Sequence, residues 1–478
     1  MKFIKHAGKI FFTFLFFIIP FIIQAQHFER SVARYITDSA KIIALVDAKI
    51  IDGTGNPSKA HQSIIIINGR IAEVGNATNI TLPKDAKVIN CSGKTIIPGM
   101  VMLHEHLYYT MFMGQYFNLA EMPYSFPRMY LAGGATTIRT AGSIEPQTDL
   151  AIKEMISEGK LIGPDIDVTA PYIERKGWDI PSLNLIKDSA EAAATVKFWA
   201  DKGCTSFKMY VHATREDLIA VVREAHKRKL KVTGHIGTLT YHEAAELGID
   251  DLEHGFFVSS DFDKEKKVNE NEFDRATKAL LKLPVNSDEM KNLIRYLINK
   301  NVAVTSTLAV FAPYTNSEVV PGGGDSALLP EVAKMVTDRW KYYQHKDSDD
   351  IALYKKELVW EKQFFDAGGL LVCGTDPTGS GNILAGYGSR KEIELLVEGG
   401  FTVVQAIKIA TLNGAKYLDR DRMIGSVTAG KNADLVLIDG DLEKDIRDIR
   451  KTEIIFKNGT GFNSKKIFDS VKGKVGLN

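Results

Sequence analysis

Apolar residues recur along the chain in two textures. Residues 41–97 carry β-branched runs, "IIALVDAKIIDGTG", "QSIIIINGRIAEVG" and "AKVINCSGKTII". Asp-Gly, Asn-Gly and Gly break these runs, which therefore read as strands joined by tight turns. A short polar, helix-like lead (28–40) precedes them. The same texture returns in "ADLVLIDGD" (433–441) and "TEIIFKNGTGF" (452–462). The pattern predicts a composite β-sandwich domain, built from 41–97 plus 418–470, whose two halves pair in space and enclose the chain between them.

Over 98–417 the texture changes to short apolar runs separated by helical stretches. The runs are "IIPGMVML" (96–103), "ATTIRTA" (135–141), "DIDVTAPY" (165–172), "TSFKMYV" (205–211), "KVTGHI" (231–236), "DDLEHG" (250–255), "VAVTSTLAV" (302–310) and "LLVCGTD" (370–376). In "REDLIAVVREAHKRK" (215–229), Leu218, Val221, Val222 and Ala225 share one helical face, with charges opposite. Eight strands alternating with helices predict an α/β fold of the (β/α)8, TIM-like barrel type. An open doubly wound sheet would carry a glycine-rich phosphate turn after its first strand, and no such turn or Walker-type loop is present. Residues 256–300 read as an excursion after strand six with a helix near 287–300, and 331–366 as a helical segment before strand eight.

The first 25 residues stand apart. Lys2, Lys5 and Lys9 precede "IFFTFLFFIIPFII" (10–23), too short for a comfortable membrane span, and Ala25 follows as a cleavage point. This is the pattern of a secretory signal peptide, 1–25, and implies export to a periplasmic or extracellular space with no stable membrane association after cleavage. The formal charge of +1 gives no electrostatic footprint for nucleic acid. Cys91, Cys204 and Cys373 form no C-x-x-C pair and read as buried apolar residues.

In a barrel of this type, chemistry sits at the C-terminal ends of the strands. Strand one ends in His104 and His106, which point the same way because strand side chains repeat every two residues. Strand four carries Lys208 in an apolar run, strand five ends in His235, strand six in His254 and strand eight in Asp376. Imidazole and carboxylate suit Zn2+ and similar divalent ions, with Mn, Fe and Co open. A buried ammonium beside metal ions is costly. A neutral Lys208 amine that captures CO2 as a carbamate removes that cost and can bridge two metals. Tyr210 and His212 follow Lys208 on the same face as substrate-contact candidates, with Arg139 and Arg390 weaker ones beside Tyr108 and Tyr172. His226, His242 and His345 fall on helical stretches and read as solvated.

The ordered pieces "IIPGMVMLHEH", "FKMY", "VTGHIG", "LEHG", "GTD" and "AIKIATLNGAKYL…IGSVTAGKNADLVLIDGD" resemble the amidohydrolase superfamily, in particular its imidazolonepropionase- and prolidase-like metal-dependent hydrolases, over 41–462. The resemblance implies a binuclear site. His104, His106 and Asp376 would hold the more buried metal, His235 and His254 the second, and carboxylated Lys208 would bridge them. A metal-bridging hydroxide would be the nucleophile, and Asp376 would carry its proton to the leaving group.

The sequence departs from the family pattern at Met102, where an acid is usual, and at Thr140, where many relatives have an aspartate after the strand-two arginine. "APYIERKGW" (170–178) replaces a Gly-Gly-His-Gly loop, and Arg390 stands where a histidine is often seen. The expected reaction is cleavage of an amide C–N bond of a small molecule or short peptide, a dipeptide or N-acyl amino acid. Cyclic amide or lactone hydrolysis is the nearest alternative. A mononuclear deaminase is disfavoured by Lys208 and by Thr238, three residues after His235, where a glutamate is usual. A non-catalytic binding barrel would be expected to have lost one of the six positions. Self-association into a homo-oligomer stays open.

Overall fold

The computed structural model describes residues 28–476 apart from 114–115, 179, 181, 316–317, 345–347 and 380. The expected signal peptide (1–25) and His345 lie outside the described residues. No helix among those described is long and apolar enough to cross a membrane.

Among the described residues, strands that precede and follow the central segment join in one nine-stranded sheet. Strand Thr95–Pro98 runs antiparallel to Leu435–Ile438 and parallel to the end of Ile42–Ile50, so it ties the two flanking segments together. The hydrogen bonding links the strands of both segments in one continuous ladder. Ile43, Leu45, Ile64, Ile96, Leu437 and Phe456 pack in a common core against it. Two of its hairpins turn on Asn68-Gly69 and Asn458-Gly459, each with both residues at positive φ, the geometry such turns favour. The turns touch: a Cβ on Gly69 would sit 2.6 Å from the Asn458 carbonyl oxygen.

The enclosed segment contributes eight parallel strands in chain order: β1 (Met100–Glu105), β2 (Ala135–Thr140), β3 (Asp165–Asp167), β4 (Ser206–Met209), β5 (Lys231–Gly234), β6 (Asp251–Glu253), β7 (Ala303–Ser306) and β8 (Leu371–Cys373). They form two ladders, β1 to β3 and β4 to β8. A Thr169–Ser206 bridge joins the ladders on one side. On the other, the Thr375 and Asp376 amides both donate to the His104 carbonyl, at 3.1 and 2.9 Å. There β8 comes so close to β1 that a Cβ on Gly374 would lie 2.3 Å from the His104 nitrogen.

Helices follow the strands as the periodicity predicts. Arg215–His226 starts at a Thr214–Asp217 capping box and buries Leu218, Val221, Val222 and Ala225. The excursion after β6 holds helices Phe273–Lys282 and Asp288–Asn299, and Pro330–Tyr343 and Ser348–Asp366 precede β8. One element is absent from the sequence reading: a hairpin, Tyr108–Met113 paired with Tyr116–Glu121, springs directly from the end of β1.

Candidate functional site

The strand ends deliver His104, His106, Lys208, His235, His254 and Asp376 to the wall of one cavity. The imidazoles crowd together: the His104 and His254 rings lie 4.6 Å apart, and the His235 and His254 rings 4.7 Å apart. His104 Nδ1 donates to Glu253 Oε2 at 2.6 Å and His106 Nδ1 donates to the Gly142 carbonyl at 3.0 Å. A carbonyl only accepts, so Nδ1 of His106 carries a proton, and in the neutral ring Nε2 then holds the lone pair. The same tautomer follows for His104 from its carboxylate partner. Both lone pairs face Asp376, His104 Nε2 at 3.6 Å from Oδ2 and His106 Nε2 at 3.5 Å from Oδ1.

Burial holds His104 down at about 4. Burial and Lys208 hold His235 at about 3, and burial keeps His254 well below the usual range. Burial would raise the Asp376 carboxyl, but positive charge among the surrounding imidazoles outweighs it and draws the group well below the usual range, a part that a bound cation would take where the rings are neutral. Neutral imidazole lone pairs directed at a carboxylate repel one another unless a cation lies between. Donor atoms of His104, His254 and Asp376 all fall within 4.8 Å of one another, a spacing compatible with metal ligation. Hydrogen bonds that fix the remote ring nitrogens are the usual support of metal-ligating histidines. The donor set therefore fits a divalent metal.

His254 and Asp376 both sit at positive φ, 68° and 47°, a conformation that non-glycine residues adopt at a cost. Backbone bonds hold them there, Gly255 N to the Thr305 carbonyl and Asp376 N to the His104 carbonyl. Lys208 is 1 % exposed. Burial lowers its pKa, against the pull of Glu253 and Asp376. An amine favoured in its neutral form is the form that reacts with CO2.

Arg139 does not reach the cavity, which corrects its reading as a substrate contact. Its Nε donates to the Leu103 carbonyl, and its Nη2 to Asp251 at 3.0 Å and Glu253 at 2.8 Å. It supports the carboxylate that holds His104. Despite burial, Glu253 stays well below the usual range beside His104, Arg139 and Lys208. Arg390 also lies elsewhere. Its guanidinium stacks over Tyr387 and Phe468 and donates to the Arg450 carbonyl, because its helix face meets the C-terminal helix Ser464–Ser470. Tyr210 lines the cavity, but His212 does not. β4 ends at Met209, and the turn beyond breaks the two-residue alternation. The His212 imidazole packs on Trp178 and faces Glu174 and Asn271.

A second carboxylate web lies under the end of β7. Glu392 accepts from the Leu308 and Ala309 amides, Ser306 Oγ lies 2.8 Å from carboxyl oxygens of both Glu392 and Glu361 and bridges them, and Glu357 accepts from the Phe256 amide. Burial pushes Glu357 up to about 8 and Glu392 up to about 7. Burial and its two neighbours push Glu361 well above the usual range.

The cavity measures about 570 Å3. Near the metal set, the Tyr108 and Tyr172 hydroxyls bond each other at 2.6 Å. Sequence reasoning missed Glu253, Trp178 and Arg339. Glu253, next to His254 in a strand, carried a usable signal: its side chain points with that of Asp251, into the array.

Residues 95–475 match the family described as "Amidohydrolase family". A 5-methylthioadenosine/S-adenosylhomocysteine deaminase of Moorella thermoacetica is 40 % identical over 84 residues, 16 % of this chain and 20 % of that enzyme's length. An imidazolonepropionase of Clostridium tetani is 22 % identical over 392 residues, covering 79 % of this chain and 84 % of that one. A solved Xaa-Pro dipeptidase with bound methionine in its active site superposes with a TM-score of 0.65 at 18 % identity, over 88 % of this chain and 100 % of that one. These likenesses establish a TIM-barrel-type α/β fold.

Proposed function

Since the chain belongs to the amidohydrolase family, we propose that it is a metal-dependent hydrolase that cleaves an amide C–N bond of a dipeptide or an N-acyl amino acid. The observation that carries this reading is the convergence of His104 and His106 lone pairs on the Asp376 carboxylate, at 3.6 and 3.5 Å. The eight strands are read as a closed barrel, supported by the bonds joining Thr375 and Asp376 to the His104 carbonyl.

His104, His106 and Asp376 would hold one ion and His235 and His254 a second, with Lys208 between them as a carbamate. Such ions acidify a bound water and polarise a carbonyl. Asp376, ionised in the fold, accepts the proton of the attacking water on a carboxylate oxygen. It returns that proton to the amide nitrogen as the C–N bond breaks, so one water is consumed and an acid and an amine leave. Glu253 and the Gly142 carbonyl keep His104 and His106 from turning away. Tyr108, Tyr172 and Tyr210 border the same space and would orient the substrate carbonyl.

The local match to a deaminase favours a second reading, a single-metal deaminase. Metal stoichiometry separates the two. Two equivalents per chain in wild type, falling in Lys208→Ala together with loss of turnover, is the expected result. One equivalent in both proteins would overturn the binuclear reading.

A further inference from the structure

Resting on the hydrolase reading above, we infer that the site selects N-acylated amino acids over free dipeptides: Arg339 receives the substrate carboxylate, and the apolar walls receive a bulky acyl group.

The charge inventory of the cavity leads to this. Among the described residues, Arg339 is the one lining side chain outside the metal set that carries a formal charge. It lies on helix Pro330–Tyr343, after β7, and the fold brings that helix to the cavity. A guanidinium is always charged and offers a planar fork that matches a carboxylate in two hydrogen bonds. The opposite charge has no such counterpart. Asp376 is the one lining carboxylate among the described residues, and the histidines enclose it. A free α-ammonium entering here would leave water for the metal set and aromatic faces, without an anion of its own. Acylation of the amine removes that charge and puts apolar surface in its place.

The walls favour the exchange. Leu119 comes from the hairpin after β1, Ile180 from the loop after β3, Val258 and Phe273 from the excursion after β6, and Phe311 from the turn after β7. Apolar surface from four separate segments rewards an apolar acyl group roughly in proportion to the area it covers. A volume of about 570 Å3 lies within the range of small-molecule sites.

Three compounds isolate the two charges. 3-Phenylpropanoyl-glycine differs from phenylalanyl-glycine by lacking the α-ammonium, and 3-phenylpropanoyl-glycinamide lacks the carboxylate. With metal-loaded full-length protein, the acylglycine should have the highest kcat/KM by at least about tenfold. Arg339→Gln should collapse its advantage over the glycinamide by about tenfold, mainly through KM, and Arg339→Lys should keep part of it. Equal turnover of phenylalanyl-glycine and the acylglycine overturns the inference, as does an unchanged acylglycine-to-glycinamide ratio in Arg339→Gln; neither touches the hydrolase reading. If no compound is cleaved, the hydrolase reading fails, and calorimetric binding decides the inference by itself. Acylglycine binding that Arg339→Gln weakens supports it, and equal binding of all three compounds overturns it.

Discussion

Glu253 and Glu361 are both enclosed carboxylates close behind the cavity, 0 % and 1 % exposed, but their neighbours differ in sign. Glu253 sits against Arg139, His104 and Lys208 and is held ionised in spite of burial. Glu361 sits against Glu357 and Glu392 and is held protonated. The first web keeps charge in the interior and uses it, because an ionised Glu253 fixes the tautomer of His104. The second web gives up its charge and works as a hydrogen-bonded buttress, tying β7 and the turn that carries Phe311 to two long helices. A buried acid thus serves the chemistry where a cation accompanies it, and serves the shape of the cavity where none does.

The contrast breaks most sharply at Arg139. Arg139→Met would strand Glu253 and Asp251 without their cation, and breaking a buried ion pair in this way costs about 3–5 kcal/mol. Urea unfolding should show a loss of that order together with loss of bound metal; a near-wild-type midpoint would mean that Glu253 is not held as an ion. Glu253→Gln is milder. It keeps an acceptor for His104 Nδ1 but removes the charge, and outer-shell changes of this kind lower metal affinity by about 10–100-fold. Competition with a chelator would read that shift.

The smallest effect belongs to the second web and shows as a slope. Glu357, at about 8, and Glu392, at about 7, keep their protons in the fold where an unfolded glutamate near 4.5 has lost them. The native state then binds more protons than the unfolded chain. Stability from these groups is full below about 4.5 and is lost as pH rises through the folded values. Glu357→Gln, with a permanently neutral side chain, should flatten that decline while changing stability at pH 5 by no more than about 1 kcal/mol. Parallel slopes for wild type and variant at fixed metal would show that Glu357 is ionised in the fold.

The centre of the site was legible because strand alternation is a local rule. It sets His104 beside His106, and Lys208 stands out in the apolar run of β4. The supporting layer was not, since Arg139 lies 112 and 114 positions from the acids it meets, and nothing local distinguishes it from a substrate-binding arginine. His212 was misplaced by one assumption, that β4 continued past Met209. The hairpin after β1 went unread although "LYYTMFMGQYFNLAEM" (107–122) has a strand's composition. Its register depends on a turn that composition does not fix.

The sheet that joins strands from before and after the central segment has a consequence for synthesis. Thr95–Pro98 leads straight into β1, and its antiparallel partner is Leu435–Ile438. A ribosome makes the first strand more than three hundred residues before the second, and at about 5–20 residues per second the wait is tens of seconds. During that interval the edge of Thr95–Pro98 stays unpaired and sticky. A chain aborted before residue 435 would never cover it and would expose an edge that chaperones and proteases can recognise.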